Sequence, residues 1–87
     1  MTTQDWEMDV LLRGLSRLSA QEKVVLRHVL AGRTAKEGAR EEGKSPRTFE
    51  AQRTSAYLKL GLSRTPDLLI AAIALAERGI RLSDRLH

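Results

Sequence analysis

Apolar residues recur along the chain at the three- and four-residue spacing that is typical of amphipathic helices. They are mostly Leu, Val, Ile and Ala, and Trp6, Phe49 and Tyr57 are the only aromatic residues, a composition that suits packed helices better than a sheet. The pattern predicts five helices, over residues 5–18, 20–31, 35–42, 46–60 and 66–78.

Each of the last four predicted helices begins at a capping residue and ends at a glycine. Ser19 and Thr34 are followed three residues later by a glutamate, which is the pattern of a capping box. Ser45 and Thr65 precede a proline, which is tolerated at the first helical position because its missing N–H has no helical partner there. Glycine favours the left-handed conformation that ends many helices, and we expect it at Gly32, Gly43, Gly61 and Gly79.

The two predicted helices on either side of Gly43 form a helix-turn-helix, a motif that is typical of DNA-binding proteins. Residues 46–65 carry four basic residues and one acidic residue, a net charge of +3, out of +4 for the whole chain. A basic second helix suits a polyanionic partner. From charge alone, a solvated basic face is an equal alternative.

The first and last predicted helices differ from the other three. Residues 5–18 have Trp6, Val10, Leu11, Leu15 and Leu18 near helical spacing, which indicates an additional amphipathic helix. Residues 66–78 are apolar nearly all round. Because a helix without a polar face has two surfaces to bury, we expect one to face the core and the other to need a partner. The alternative is an ordinary surface helix in which much of the apolar surface comes from small alanine side chains.

Short motifs occur in a fixed order: Leu18-Ser19-x-x-Glu22 with Val25-Leu26, Ala31-Gly32-x-Thr34-x-Lys36-Glu37, Ser45-Pro46-Arg47-Thr48, Gln52-Arg53 and Lys59-Leu60-Gly61. In order and spacing they resemble the DNA-binding domain of the LuxR/GerE family, which includes the output domains of NarL/FixJ response regulators. The resemblance implies a tetrahelical helix-turn-helix bundle, and with the additional N-terminal amphipathic helix that the apolar spacing indicates, we expect an all-α fold. We divide the chain into an extension (1–18), the helix-turn-helix domain (19–79) and a C-terminal tail (80–87).

The resemblance also implies a DNA-binding transcriptional regulator, with residues 46–60 as the recognition helix in the major groove and residues 66–78 as a dimerisation surface. Its implied partners are double-stranded DNA and a second copy of the chain, without a cofactor. The implied DNA-contacting residues are Lys36, Ser45, Arg47, Thr48, Glu50, Ala51, Gln52, Arg53, Thr54, Lys59 and Arg64. The implied dimer interface comprises Leu68, Leu69, Ala72, Ile73 and Ala76.

The residue chemistry agrees with these roles. The N-terminus of a helix presents unpaired N–H groups and a partial positive charge, so Arg47 and Thr48 are well placed to bind phosphate. Glu50 is suited to accept from cytosine N4, Arg53 to bind guanine or phosphate, and the methyl group of Thr54 to contact a thymine methyl. Ordinary solvated helix surface is the alternative for each residue.

The chain departs from the family at three positions, Gly38, Glu42 and Lys44, where an aliphatic residue is usual. We therefore expect the helix pair to be under-packed, even though Phe49 refills part of the lost volume. Either the helix over residues 5–18 covers it, or this half is mobile. Such a scaffold suits a second hypothesis, a protein-interaction module that binds another regulator or RNA polymerase. A sigma-type promoter-binding region is a third, although the Thr65-Pro66 start of a fourth helix favours the LuxR/GerE type.

Other classes of protein and of site are disfavoured. The absence of cysteine excludes disulfides and thiolate metal sites, and together with an acidic N-terminus unlike a signal peptide it leads us to expect a cytoplasmic protein. His28 has no second ligand at metal-binding spacing, and the longest apolar run, residues 68–76, is too short to span a bilayer. We predict no metal, no catalytic residue and no enzyme activity. If these residues are the complete protein, we expect control through abundance, dimerisation or a partner, and the alternative is that residues 1–17 are the end of a further domain.

Overall fold

The computed structural model describes residues 8–87, which form five α-helices and a short 3₁₀ helix without any strand. The all-α fold is confirmed, and the described helices begin and end within one residue of the prediction, except that residues 5–7 of the first helix lie outside the described range. The elements are α1 (Met8–Arg17), α2 (Ala20–Leu30), α3 (Ala35–Glu42), α4 (Pro46–Leu60), α5 (Thr65–Glu77) and the 3₁₀ helix Leu82–Leu86.

The predicted capping boxes are present at the starts of α2 and α3. Ser19 Oγ accepts from the backbone N–H of Glu22 at 3.1 Å, and Glu22 Oε1 accepts from the backbone N–H of Ser19 at 2.8 Å. Thr34 and Glu37 form the same reciprocal pair with the same distances. Left-handed φ angles end the helices at Gly32 (81°), Gly43 (67°), Gly61 (74°) and Gly79 (78°).

The start of α5 differs from the prediction that Thr65 caps it. Thr65 is the first helical residue, and its hydroxyl is hydrogen-bonded to Tyr57 Oη at 2.8 Å. The cap comes from Asp67, whose Oδ2 accepts from the backbone N–H groups of Ser63 at 3.1 Å and Arg64 at 3.0 Å. A carboxylate in the first turn replaces the predicted hydroxyl, because the hydroxyl has a partner on α4.

The core is built around α4, since α1, α2 and α3 all pack against it. This arrangement buries one side of α4 and leaves the opposite side to solvent. The residues of α4 that enter the core are Phe49, Ala56, Tyr57 and Leu60.

The segment after α5 also belongs to the core, although the sequence indicated only a tail. Leu82 and Leu86 have exposed fractions of 4% and 0%, and the 3₁₀ helix that carries them packs against α2. The Arg27 guanidinium of α2 donates to the Leu86 carbonyl oxygen. This segment therefore helps to close the bundle.

An aromatic ring fills the space between α3 and α4. Phe49 has no exposed surface, and a Cβ atom added at Gly38 would lie 2.5 Å from its Cε2 atom. Gly38 has no left-handed φ, so its role is to leave room for the ring. The ring also meets the imidazole of His28 edge-on, with 6.0 Å between ring centroids. The predicted refilling by Phe49 is confirmed, and the prediction of under-packing is wrong at this contact.

The other two departures from the family pattern, Glu42 and Lys44, form polar links between helices. Glu42 Oε2 lies 2.7 Å from Nε2 of the buried His28 side chain, which ties α3 to α2 and lowers the pKa of Glu42. Lys44 Nζ donates to Gln21 Oε1 at 2.7 Å and to Gln52 Oε1 at 2.6 Å. The turn is thereby tied to both α2 and α4, in place of the aliphatic contacts that the family would use.

The described part of the additional N-terminal helix, α1, packs against α4. Leu11 and Leu15 are buried on its inner side. At Gly14 the two backbones meet so closely that an added Cβ would lie 2.0 Å from the Lys59 carbonyl oxygen. Of the two expected ways to support the helix pair, the structure shows the first for α4, which α1 covers at its C-terminal end, while α3 is supported by the ring of Phe49 and by polar links to its neighbours.

Candidate nucleic-acid interface

Four of the predicted DNA-contacting residues lie together on the exposed side of α4, which we call the outward face. Arg47, Glu50, Ala51 and Thr54 are all exposed, and they recur at the spacing that places side chains on one face of a helix. Leu58 continues the same face, with an exposed fraction of 73%. Leu58 was not among the predicted site residues, although its position four residues after Thr54 predicts that it lies on this face.

The outward face begins at a well-capped N-terminus. Ser45 Oγ accepts from the backbone N–H of Thr48 at 3.1 Å and lies 3.1 Å from the Thr48 hydroxyl. Both residues are exposed, and Pro46 occupies the first turn of the helix. This end of α4 combines a helix dipole with the guanidinium of Arg47, an arrangement that favours an anion.

Gln52 and Arg53 lie at the flanks of α4 and are each half-buried. Gln52 Oε1 is occupied by the Lys44 ammonium, so the amide is not available for the bidentate recognition of adenine. Lys36, on α3, and Arg64, before α5, are exposed and lie outside the outward face. The structure therefore brings together the centre of the predicted site and leaves its remaining basic residues at the periphery.

Lys59, predicted to contact DNA, is instead part of a polar cluster between α1, α2 and α4. Its Nζ donates to Glu22 Oε1 at 2.8 Å and to the Arg17 carbonyl oxygen at 3.2 Å. The other oxygen of Glu22 accepts from the Ser55 hydroxyl at 2.6 Å. Because its charge is paired with a buried carboxylate, Lys59 has a structural role that the sequence did not indicate, although its side chain keeps an exposed fraction of 32%.

The environment of Glu22 favours its ionised form, although the side chain is only 7% exposed. Burial alone would raise the pKa of Glu22. The hydrogen bonds from Lys59, Ser55 and the backbone of Ser19, with the positive charge of Lys59, outweigh burial and lower the pKa to about 2. The cluster thus fixes the C-terminal half of α4 against α1 and α2.

The outer surface of α5 is apolar, as predicted, but the residues that form it differ from those of the predicted dimer interface. Leu68, assigned to the dimer interface, has no exposed surface and lies in the core. Leu69, Ile70 and Ile73 have exposed fractions of 48%, 42% and 61%. Because α5 is apolar all round, the sequence could not fix which of its sides faces the core. Two more residues of the predicted interface are accessible, the half-buried Ala72 and the exposed Ala76.

Two further observations concern residues 8–87. Within this range no group of three or more His, Asp or Glu side chains is arranged to hold a metal ion. None of the described helices is both long enough and apolar enough to cross a bilayer.

Comparisons of the chain with protein-family models, with curated proteins and with solved structures find no match. Arguments about function therefore rest on the residues and on the geometry described above.

Proposed function

We propose that this protein is a double-stranded DNA-binding transcriptional regulator of the LuxR/GerE type that inserts α4 into the major groove. The observation that carries the proposal is the capped helix-turn-helix, whose second helix is anchored in the core on one side and exposes Arg47, Glu50, Ala51 and Thr54 on the other. The motif resemblance of residues 18–79 supports the same assignment.

The proposed contacts follow from side-chain chemistry. Arg47 and the N-terminus of α4 bind a phosphate, while Glu50 accepts from cytosine N4 in the groove. The methyl groups of Ala51 and Thr54 contact thymine methyl groups. Arg53, Lys36 and Arg64 contribute positive charge at the periphery.

Substituting Arg47 tests this interface. We expect Arg47→Ala to weaken binding to duplex DNA about tenfold and to reduce the slope of log K against log salt by about 1, because one phosphate contact is lost. Fluorescence anisotropy with labelled promoter duplexes measures both quantities. Arg85→Ala, which removes an exposed charge from the C-terminal 3₁₀ helix, is the matched control and should bind nearly as the wild type does. Equal losses in the two variants would contradict the proposed interface.

We further propose that the protein binds DNA as a dimer formed through the outer surface of α5. Leu69, Ile70 and Ile73 expose apolar area that a second copy of the same helix would bury. We expect Ile73→Asp to convert the dimer to a monomer of 9.7 kDa in sedimentation experiments. Leu58→Asp places the same charge on a still more exposed apolar site of α4 and should leave the dimer intact. A wild-type monomer at all concentrations would refute the dimer.

A second candidate function is a protein-interaction module that binds another regulator or RNA polymerase. The exposed Leu58 on the outward face favours it, because an apolar side chain cannot bind phosphate and is suited to burial against a protein partner. This function predicts a heteromeric complex that survives substitution of Arg47 and Arg53 but is lost in Leu69→Asp.

A further inference from the structure

We infer that α1 extends the DNA-binding surface, with Arg13 and Arg17 contacting the phosphate backbone beside the C-terminal end of α4. This inference rests on the proposed function, since it concerns the same DNA complex. It assigns a role to the additional helix, which lies outside the residues that carry the family resemblance.

Three contacts fix the position of α1 beside α4. Gly14 brings the two backbones together, because an added Cβ would lie 2.0 Å from the Lys59 carbonyl oxygen. The Arg17 carbonyl oxygen accepts from Lys59 Nζ at 3.2 Å. Val10 covers Gly61, since a Cβ added there would lie 2.9 Å from Val10 Cγ1. The helix therefore packs across the C-terminal end of α4, where residues 59–61 lie.

The helical spacing of α1 places both arginines on the side that Val10 occupies. Arg13 and Arg17 follow Val10 by three and seven residues, which is the spacing of neighbours on one helix face. Val10 contacts Gly61, which comes three residues after Leu58 on the outward face of α4. The stripe of Val10, Arg13 and Arg17 consequently lies next to the C-terminal end of α4.

The charge distribution indicates what this stripe contributes, which is positive charge near the end of α4. In its C-terminal half, α4 has one basic residue, Lys59, and its charge is paired with Glu22. Leu58 adds none. Arg13 and Arg17 are exposed, and neither forms an ion pair with another of the residues 8–87. Two exposed guanidinium groups therefore lie near the end of α4 that lacks charge of its own. Guanidinium groups bind phosphate well, so the DNA backbone is the partner that we infer for them.

Salt-dependent DNA binding tests the inference. We expect the double substitution Arg13→Gln, Arg17→Gln to lower the slope of log K against log salt by about 2, measured by anisotropy between about 50 and 200 mM salt. The matched control is Arg78→Gln, Arg81→Gln, which removes the same charge from exposed positions beyond the end of α5 and should change the slope by less than 1. Arg13→Lys, Arg17→Lys keeps the charge and should retain the wild-type slope.

The outcomes separate this inference from the proposed function. If the wild type binds DNA and the α1 variant has the same slope as the control, the inference fails while the proposed function stands. If the wild type binds no duplex, both fail. Thermal unfolding of each variant, followed by circular dichroism, accompanies the measurement, and a slope lost equally in the lysine variant would assign the arginines a structural role and overturn the inference.

Discussion

Replacing Phe49 with alanine should lower the free energy of unfolding by about 3–5 kcal/mol, a large part of the total stability of a small domain. Its ring is fully buried between α3 and α4 and touches both Gly38 and His28. The loss would leave α3 with Ala39 as its buried apolar side chain, together with polar links. Chemical denaturation of the variant and the wild type measures the difference.

Gly38 lies against the ring of Phe49, and the substitution Gly38→Ala tests whether this packing stabilises the fold. In an isolated helix this change stabilises by about 1 kcal/mol, but here the added methyl would lie 2.5 Å from the buried ring, and such overpacking costs about 1–3 kcal/mol. We expect Gly38→Ala to destabilise the wild type and to be tolerated in a Phe49→Val background, so that the double variant is more stable than the sum of the single effects predicts. Additive effects, or a stabilised Gly38→Ala variant, would contradict this packing.

Replacing Glu22 with glutamine should cost about 3 kcal/mol near neutral pH. The estimate follows from the fall of its pKa from an ordinary 4.5 to about 2 on folding. The substitution also leaves Lys59 without the charge that it faces across the helices. Glu37→Gln is the matched control, because Glu37 fills the same capping-box position on α3 but is exposed. It should leave the denaturation midpoint nearly unchanged.

The lowered pKa of Glu22 also predicts that the stability of the protein depends on pH. The unfolded chain binds the Glu22 proton more tightly than the folded protein, so the stabilisation is fully present above about pH 5 and is lost as the pH falls towards 2. In Glu22→Gln this part of the acid dependence should be absent, and the curves of the wild type and the variant should converge at low pH. Parallel curves between pH 5 and 2 would show that Glu22 does not hold the cluster together.

Local signals predicted most of the secondary structure. Capping residues and glycines act within a few residues of themselves, and for this reason the ends of α2, α3 and α4 could be located from the sequence. Thr65 shows the limit of such signals, since its hydroxyl is bonded to Tyr57 of another helix and Asp67 supplies the cap instead.

Contacts between helices were beyond the reach of sequence patterns. The pairing of Lys59 with Glu22 joins residues that are 37 positions apart, and nothing near Lys59 indicates it. The buried position of Leu68 depends on the rotation of a helix that is apolar on every side. The exposure of the candidate site residues was therefore predicted correctly where helical spacing alone exposes a residue, as at Arg47 and Thr54, and incorrectly where tertiary contacts bury one, as at Leu68.

Leu58 limits the proposed recognition surface to the part of α4 that ends at Thr54, about two and a half turns from its start. The polar members of the outward face end at Thr54, and the next residue on that face is apolar and 73% exposed. In the complex that we propose, base contacts come from the N-terminal half of α4 and further phosphate contacts come from neighbouring elements, including α1.

The most direct test of DNA recognition is an unbiased selection of bound sequences from a random duplex library with the purified protein at low salt, with the mass of the protein in solution measured in parallel. We expect a palindromic consensus, with half-sites about one helical turn apart, bound by a dimer. We also expect Glu50→Ala to change the base preference within each half-site. A library without any enriched sequence, or a consensus that is unchanged by substitutions on the outward face of α4, would contradict the proposed DNA recognition.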